Sequence, residues 1–279
     1  MTTGRPVTAA TRLAGVIGSP IRHSLSPALH NAAFAAAGVD WVYTAFEVAP
    51  GDAADAIAAM RVLGLGGMSV TMPHKEAVAS AVDELEPTAA ALRSVNTIVV
   101  LPDGRLRGCS TDGDGFVASI VEASADPAAK RIAVLGAGGA GRAVVEALRR
   151  AGAADIVVIN RSDERAEAAA ALAGARGRVG QMSDVRNCDI VVNATSVGMG
   201  TTDLPFDMSL LHERHVVVDL VYHPLETAFL AHARAVGAQA IDGLGMLVHQ
   251  AALQQELWLG RVVDTRVMRH AAMQQLGLA

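Results

Sequence analysis

A run of glycines near the middle of the chain separates two segments with different patterns. The apolar segment KRIAVL (130–135) is typical of a buried strand, and AGRAVVEALRRAG (140–152) has the spacing of a helix. The loop between them, Gly136-Ala137-Gly138-Gly139-Ala140-Gly141, fits the pattern G-x-G-x-x-G. Glycines permit a tight turn and a close approach of a pyrophosphate to the backbone, while the helix N-terminus supplies N–H donors. This context predicts a dinucleotide site, and the alternative is a glycine-rich turn that binds nothing.

Strand-like and helix-like segments alternate along most of the chain. Strand patterns lie at 12–18, 41–48, 66–71, 130–135, 155–160, 189–195, 215–221 and 238–242. Helix patterns lie at 27–38, 52–64, just after Pro73, and at 113–123, 140–152, 163–174, 244–260 and 264–277. Two further segments, 95–100 and 106–110, flank the turn sequence PDGR and predict a β-hairpin. Because apolar strands alternate with helices in two series, we expect an α/β fold of two domains, each with a mostly parallel sheet.

Composition excludes several classes of protein. A chain of 279 residues is long enough for roughly two domains, and its content of 51% hydrophobic and 18% charged residues excludes intrinsic disorder. No segment approaches the ~18 unbroken apolar residues of a membrane span, and MTTGRPVTAATR at the N-terminus lacks the apolar region of a secretion signal. With a net charge of −5, the chain has no excess of basic residues that would attract nucleic acid. Its two cysteines, Cys109 and Cys188, cannot build a disulfide framework. We expect a cytoplasmic protein that binds neither nucleic acid nor membranes.

The residues after the second strand of the glycine-loop series indicate which nucleotide binds. A site for NAD has Asp or Glu at that strand end, bonded to the ribose 2′-hydroxyl. This chain has Asn160-Arg161-Ser162 there, followed by Arg165. Two guanidinium groups and a hydroxyl suit a 2′-phosphate, so the sequence predicts NADP(H). In the alternative interpretation Ser162 caps the next helix and the arginines are solvated, and capping is compatible with phosphate binding.

Polar side chains follow the predicted strands of the first half of the chain. Ser24 and Ser26 come after the first strand, Thr71 ends the third, Asn96 opens the hairpin and Asp112 follows it. Ligands of open α/β sheets bind beyond the carboxyl ends of the strands, so these side chains could converge on one pocket. The two serines, beside a helix N-terminus, could hold a carboxylate. Alternatively, Ser26 alone is the N-cap of that helix.

Lysine is scarce in this chain, and one of the lysines has an unusual position. Of the 23 basic residues only Lys75 and Lys130 are lysines. Pro73 ends a strand and places Lys75 near the start of a short helix, where the helix dipole opposes a cation and eases loss of its proton. We therefore predict that Lys75 transfers protons and pairs with the Asp112 carboxylate. The alternatives are a surface lysine and an N-cap aspartate.

Together these residues resemble the shikimate dehydrogenase family over nearly the whole chain. The segments that carry the resemblance are SLSP (24–27), VTMPHK (70–75), VNT (95–97), STDGDG (110–115), GAGGAGR (136–142), NRSDER (160–165), NATSVGM (193–199), DLVYHPLET (219–227) and DGLGMLVHQAA (242–252). The resemblance implies a reversible, NADP-dependent reduction of 3-dehydroshikimate to shikimate, in the biosynthesis of chorismate and the aromatic amino acids.

The resemblance also implies a role for each matching residue. Ser24 and Ser26 would hold the substrate carboxylate, and Lys75 and Asp112 would be the catalytic pair. The residues implied to bond or approach the substrate elsewhere are Thr71, Asn96, Gln250 and Tyr222. Those implied to bind NADP are Gly136, Ala137, Gly138, Gly139, Ala140, Asn160, Arg161, Ser162, Arg165, Thr195, Ser196, Met199, Gly243 and Met246. The closing helices would return to the first domain, which gives a substrate domain of residues 1–112 plus 251–279 and a Rossmann-type doubly wound NADP domain of residues 113–250.

The chain departs from the family pattern at two positions, and other functions stay open. Ser69 and Ser110 stand where the family often has Asn, so a hydrogen bond that braces Thr71 or Asp112 could be lost. One alternative is a dehydrogenase for quinate or an amino-substituted analogue, and another is an NADP(H)-sensing protein without catalysis. The sequence leaves the oligomeric state open, a homodimer included.

Several residues have an ordinary structural interpretation when taken alone. Gln250 would be a polar helix residue, Met246 a core residue and Tyr222 part of a turn. His212 and His215 have a spacing that could bind a metal, but no cysteine or third ligand lies nearby. We therefore expect a solvated loop there and no metal.

Overall fold

The computed structural model describes residues 6–278, which form two compact α/β units. The first unit holds the described residues up to Thr111 and those from Gln250 onward, and the second holds Asp112–His249. Residues 1–5 and 279, which the predicted substrate domain includes, lie outside the described residues. The predicted α/β class, with two domains and mostly parallel sheets, is confirmed.

The elements of the first unit follow the predicted alternation. In chain order they are β1 (Arg12–Gly18), α1 (Ser26–Ala36), β2 (Trp41–Glu47), α2 (Ala53–Leu63), β3 (Gly67–Val70), α3 (Lys75–Ala79), β4 (Glu84–Leu85), α4 (Pro87–Leu92), β5 (Thr97–Val100) and β6 (Leu106–Cys109). Their sheet has the strand order β2-β1-β3-β5-β6-β4. The predicted hairpin is confirmed, since β5 pairs antiparallel with both β3 and β6. Because β5 runs backwards, its first residue lies at the same sheet edge as the last residues of β1, β3 and β6.

The elements of the second unit form a doubly wound parallel sheet. They are α5 (Asp112–Glu122), β7 (Arg131–Leu135), α6 (Gly139–Arg150), β8 (Asp155–Ile159), α7 (Asp163–Ala171), β9 (Gly177–Val179), β10 (Ile190–Asn193), β11 (Val216–Asp219), α8 (Ala228–Ala235) and β12 (Gln239–Ile241). Three short 3₁₀ helices lie at Gly174–Arg176, Met182–Asn187 and Met208–Leu210. The strand order is β12-β11-β10-β7-β8-β9, with every pair parallel. Two long helices, α9 (Leu244–Leu259) and α10 (Thr265–Gln275), close the chain.

Burial explains why the central strands of the second sheet are apolar throughout. Ile132 and Val134 point into one core cluster, and Ala133 and Leu135 point into another on the opposite face. A strand covered on both faces gains from apolar residues at every position, so it shows a continuous run in place of alternation. On the first face α5 packs closely on α6, where a Cβ added to Gly113 would lie 2.5 Å from the Ala143 carbonyl oxygen.

Short elements are the part of the fold that hydrophobic periodicity does not reveal. β4 has 2 residues and β9 has 3, which is too short for a repeat to show. α4 has 6 residues and begins at Pro87, with the Glu86 side chain accepting the N–H of Ala89 as its cap. None of the helices in residues 6–278 has the length and apolar character needed to cross a membrane.

Candidate active site

Four connections at one edge of the first sheet carry most of the polar residues singled out by the sequence. β1, β3 and β6 end at this edge and β5 begins there, since Ser69 pairs with Thr97 and Thr97 pairs with Cys109. The backbone of the loop after β3 is tied to β1, because Thr71 N–H donates to the Ile17 carbonyl at 3.0 Å. The antiparallel hairpin thus adds its own residues to an edge that the parallel strands already define.

Ser24 and Ser26 form one turn before α1. The Ser24 hydroxyl oxygen accepts the backbone N–H of Ser26 at 3.2 Å, and both serines are half-buried. The interpretation of Ser26 as the N-cap is wrong: α1 begins at Ser26, and the residue before it, Leu25, makes no side-chain cap. The Ser24 hydroxyl satisfies one of the first N–H groups of the helix instead, which leaves the Ser26 hydroxyl on the first turn.

Lys75 is the first residue of α3, as the position of Pro73 predicts. Its side chain is half-buried, and its carbonyl oxygen accepts the N–H of Val95 at 3.0 Å. That bond holds the start of α3 next to Val95, and Val95 directly precedes Asn96. The neighbouring Thr71 packs against β1, where a Cβ added to Gly18 would lie 2.5 Å from Thr71 Cγ2.

Asn96, Thr111 and Gln250 are joined by hydrogen bonds. Asn96 Nδ2 donates to Thr111 Oγ1 at 2.9 Å, and the Thr111 N–H donates to Asn96 Oδ1 at 2.9 Å. Thr111 Oγ1 in turn donates to the Gln250 carbonyl at 3.1 Å. All three residues are buried. The structure therefore brings two predicted substrate residues together through Thr111, for which no role was predicted.

Asp112 follows Thr111 directly and is the first residue of α5. It is buried, with 8% of its surface exposed. Acidic residues are favoured in the first turn of a helix, where the N–H groups and the positive end of the helix dipole lie. Ser110, which precedes Thr111, is also buried, so this connection is polar and enclosed for three consecutive residues.

In the second unit the glycine loop takes the conformation that its glycines allow. Gly136 has φ of +101°, and a Cβ there would lie 2.9 Å from Thr195 Cγ2. A Cβ at Gly141 would overlap the Gly136 carbonyl oxygen. In contrast, Gly138 and Gly139 have nothing within 4 Å of an added Cβ, and both are exposed. The loop thus leaves open space above the first N–H groups of α6, which fits a dinucleotide phosphate.

The residues after β8 are arranged around Asn160. Asn160 Oδ1 accepts the N–H of Ala137 at 3.3 Å, and its Nδ2 donates to the Ser162 carbonyl at 3.0 Å. The Ser162 hydroxyl caps α7 by accepting the N–H of Arg165, which confirms the capping interpretation. Arg161 and Arg165 are exposed, and neither makes an ion pair within residues 6–278. Both guanidinium groups are therefore available to an anion, so the residues present fit a 2′-phosphate.

A buried carboxylate organises the two strand ends next to the glycine loop. Asp219 is fully buried, and it accepts hydrogen bonds from Asn193 Nδ2 at 2.9 Å, from Thr227 Oγ1 at 2.7 Å and from the Val221 N–H at 3.1 Å. Burial raises the pKa of Asp219, although these three donors act against that shift. Asn193 Oδ1 accepts both the N–H and the hydroxyl of Thr195. No role was predicted for Asn193 or Asp219. The sequence signal that could have pointed to this site was the aspartate at the end of an apolar strand.

The remaining predicted nicotinamide-side residues follow these strand ends. Ser196 and Met199 are exposed in the loop after β10. Gly243 follows β12, and a Cβ there would overlap the Leu220 carbonyl, so the residue must be small. Met246 packs against the core cluster of this unit, as its ordinary interpretation holds. Tyr222 is half-buried, and burial raises the pKa of its phenol.

The histidine pair does not form the expected solvated loop. His215 is buried, and its Nε2 lies 3.1 Å from the Val185 carbonyl. The rings of His212 and His215 stack with centroids 3.7 Å apart, and the His212 N–H donates to His215 Nδ1 at 3.1 Å. Burial lowers the pKa of His215, and the charge on His212 adds to that effect. The expectation was wrong because the loop packs on the 3₁₀ helix Met182–Asn187.

The chain matches three family models and has close relatives of known activity. The models are the shikimate dehydrogenase substrate binding domain over residues 16–98, shikimate / quinate 5-dehydrogenase over 119–202, and the shikimate 5'-dehydrogenase C-terminal domain over 243–273. A relative from Moorella thermoacetica, a shikimate dehydrogenase (NADP(+)), is 47% identical over 97% of this chain and 96% of its own length.

Two solved structures bear on the ligands of relatives. Shikimate 5-dehydrogenase from Thermus thermophilus, in complex with NADP(H) and shikimate, is 37% identical with a TM-score of 0.89, and the match covers 95% of this chain and 99% of that one. Quinate dehydrogenase from Corynebacterium glutamicum, in complex with NAD, is 34% identical with a TM-score of 0.88, over 95% of this chain and 99% of that one.

Proposed function

Because this chain belongs to the shikimate dehydrogenase family, we propose that it is an NADP-dependent oxidoreductase that interconverts 3-dehydroshikimate and shikimate in aromatic amino-acid biosynthesis. The observation that carries the proposal is the sheet edge of the first unit, where Lys75 stands among hydroxyl and amide side chains. A cyclic polyol with a carboxylate needs such donors and acceptors, together with a group that can exchange a proton with a ring oxygen.

The substrate roles follow from the chemistry of the side chains. The two hydroxyls of Ser24 and Ser26 bind the substrate carboxylate at the start of α1, where the helix dipole favours an anion. Asn96, Thr71 and Gln250 bond the ring hydroxyls. Tyr222, with its phenol protonated, donates a further hydrogen bond to the substrate.

Lys75 and Asp112 are the proposed catalytic residues. Bound NADPH supplies the hydride to the ring ketone. Negative charge then develops on the ketone oxygen, and the Lys75 ammonium stabilises that charge and donates a proton to the oxygen. In the oxidation direction the Lys75 amine takes the proton back. The buried carboxylate of Asp112 accepts a hydrogen bond from the adjacent ring hydroxyl.

The cofactor residues divide into three groups. The glycine loop at Gly136–Ala140 would hold the pyrophosphate, and the Ala137 N–H in this loop already donates to Asn160 Oδ1. Arg161, Ser162 and Arg165 bind the 2′-phosphate. The nicotinamide side is lined by Thr195, Ser196, Met199, Gly243 and Met246.

We further propose that the two compact units correspond to a substrate-binding domain and an NADP-binding domain. The substrate-domain family model matches residues 16–98, which lie within the first unit. A cytoplasmic location fits the two free thiols, Cys109 and Cys188. Light scattering of the purified protein will distinguish a monomer from the homodimer that the sequence leaves open.

The function is tested by following the absorbance of the NADPH or NADH formed when the purified protein receives shikimate or quinate, each with NADP⁺ or NAD⁺. We expect shikimate with NADP⁺ to give the highest kcat/KM. Faster turnover of quinate with NAD⁺ would instead favour the activity of the Corynebacterium relative. Binding of NADPH without turnover of any of these substrates would identify a cofactor sensor.

A further inference from the structure

Beneath the substrate edge of the first unit, α9 carries a buried glutamine whose amide is fully engaged. Gln254 Oε1 lies 2.7 Å from Ser69 Oγ and 3.2 Å from His30 Nε2. Its Nε2 donates to Gln250 Oε1 at 2.9 Å and to the Asn96 carbonyl at 3.3 Å. Gln254 has only 2% of its surface exposed. The side chain therefore links two proposed substrate residues, Gln250 and Asn96, to the core below them.

The direction of the hydrogen bonds around Gln254 follows from its partners. Tyr43 donates its hydroxyl to Ser69 Oγ at 2.7 Å, so the Ser69 hydroxyl is left to donate to Gln254 Oε1. Burial raises the pKa of Tyr43, which keeps its phenol protonated as this direction requires.

His30 fixes the same direction from the other side. Burial lowers the pKa of His30 to about 3, so the ring is neutral with one N–H. Gln255 Nε2 lies 3.1 Å from His30 Nδ1 and donates to the His30 carbonyl at 2.9 Å. Because Nδ1 then accepts, the ring carries its proton on Nε2 and donates to Gln254 Oε1. Two donors thus meet the carbonyl end of Gln254, and its NH₂ end must face Gln250 and Asn96.

We propose that Gln254 is a positioning residue that fixes which end of the Gln250 amide meets the substrate. Because Gln254 donates to Gln250 Oε1, the Gln250 side chain turns its Nε2 toward the ligand. Gln250 therefore recognises an oxygen that accepts a hydrogen bond on the substrate ring. This inference rests on the proposed function and adds to it that Gln250 is the donor in its hydrogen bond with the substrate.

Asn96 shows the same polarity by an independent set of bonds. Its Oδ1 accepts from the Thr111 N–H at 2.9 Å and from Thr97 Oγ1 at 2.7 Å. The carbonyl ends of both proposed substrate amides, Asn96 and Gln250, are thus held by the protein. The short side chain of Ser69 supports α9, because its hydroxyl donates a hydrogen bond to Gln254 Oε1. The sequence suggested instead that the residue at this position supports Thr71.

The test compares two neighbouring glutamines of α9. Gln254→Met keeps the volume of the side chain but removes its hydrogen bonds to Gln250 and Asn96. Gln255→Met is the matched control, since Gln255 is equally buried and bonds only to His30 in the described contacts. We expect Gln254→Met to raise the KM for shikimate about 3- to 10-fold, the usual effect of one misdirected hydrogen bond, with the KM for NADP⁺ unchanged. Gln255→Met should lower Tm and raise the KM for shikimate less than Gln254→Met does, because Ser69 still donates to Gln254 Oε1 when His30 loses its Gln255 partner. An equal rise in both variants would count against the proposal.

Assays with substrate analogues distinguish a positioning role of Gln254 from a purely structural one. Shikimate analogues that each lack one ring hydroxyl are assayed with the wild-type enzyme and with Gln254→Met. In the wild-type enzyme the absence of a bound hydroxyl should raise KM relative to shikimate. In Gln254→Met the analogue that lacks the oxygen bound by Gln250 should no longer show this rise, whereas the other analogues should still show it. Equal penalties in both proteins would overturn the proposal.

A milder variant covers the case in which Gln254→Met does not fold. Ser69→Ala removes one donor to Gln254 Oε1 and should give a smaller rise in the KM for shikimate in the same analogue-dependent way. An unchanged analogue pattern in Ser69→Ala would also count against the proposal. If the wild-type enzyme does not turn over shikimate at all, the proposed function fails, and that result is distinct from a failure of Gln254.

Discussion

Asn193 donates a hydrogen bond to Asp219 at 2.9 Å, and these two residues are paired in register at the ends of β10 and β11. The bond holds the last residues of two adjacent strands at the point where the loop with Thr195 begins. The side-chain oxygen Oδ1 of Asn193 also accepts a hydrogen bond from Thr195. The Asp219 carboxylate therefore influences the proposed nicotinamide side through the Asn193 amide.

Replacing Asp219 by Ala should therefore affect both stability and cofactor binding. Three donors would be left buried without an acceptor, so the free energy of unfolding should fall by about 2–4 kcal/mol. The KM for NADP⁺ should rise because Asn193 is released. Urea unfolding and steady-state kinetics measure the two effects. Asp207→Ala is the control, because Asp207 is exposed and caps only the 3₁₀ helix Met208–Leu210, and an equal loss there would contradict this account.

Lys75→Ala should lower kcat by about 10²–10⁴ and leave shikimate affinity largely intact, since the proton-transfer group is lost and the binding hydroxyls remain. Lys75→Arg keeps the charge but cannot give up its proton, so it should also be slow. The other lysine of the chain, Lys130, supplies the control. If Lys75→Ala turns over shikimate as fast as Lys130→Ala, the catalytic assignment is wrong.

Cofactor preference should depend on Arg161 and Arg165. Replacing both by Ala removes the two cations proposed to face the 2′-phosphate, and we expect kcat/KM for NADP⁺ to fall at least about 10-fold, the equivalent of ~1.4 kcal/mol. The value for NAD⁺, which lacks this phosphate, should change little. Higher salt should weaken NADP⁺ binding to the wild-type enzyme more than to the double variant, because exposed charges are screened.

Two glycines of the same loop should respond oppositely to one added methyl group. Gly141→Ala places a Cβ against the Gly136 carbonyl, so we expect a loss of about 1–3 kcal/mol in the free energy of unfolding. Gly138→Ala meets only open space and should leave Tm unchanged. There the methyl group occupies room proposed for the pyrophosphate, so the KM for NADP⁺ should increase. A stable Gly138→Ala enzyme with wild-type NADP⁺ kinetics would show that the phosphates bind elsewhere.

Stability should decrease as the pH falls from 7.5 to 5.0, partly because of His30. Its pKa is lowered from 6.5 to about 3, so below pH 6.5 the unfolded chain gains a proton that the folded chain does not. A base of this kind contributes stability that is present above its unfolded pKa and is lost on acidification, here by about 2 kcal/mol at pH 5.

The pH prediction is checked by urea unfolding at both pH values. His30→Asn should reduce the difference between them without abolishing it, since burial lowers the pKa of His215 in the same direction. His270→Asn replaces an exposed histidine and should leave the pH dependence unchanged. A wild-type pH dependence in His30→Asn would refute the role of His30.

Most of the longer elements were predictable because their patterns are local. The run of apolar residues in β7 and the glycines after it fix a strand, a turn and a helix start within about a dozen residues. The cap at Ser162 and the position of Lys75 followed from the same kind of local rule. The cap assigned to Ser26 was wrong because α1 begins at Ser26 itself, and the Ser24 hydroxyl, two residues earlier, accepts the Ser26 N–H. β4, β9, α4 and α8 were missed because each is too short to show a clear period.

The sequence alone determined the alternation of strands and helices, the glycine loop and the chemical types of the proposed site residues, because each depends on neighbours along the chain. Only the tertiary structure decided that Ser69 braces Gln254, 185 residues away, that Asp219 holds Asn193, and that His215 is buried. Polar groups removed from water must find partners wherever the topology brings them. Those partners are set by the order and direction of strands in each sheet, and no local pattern encodes them.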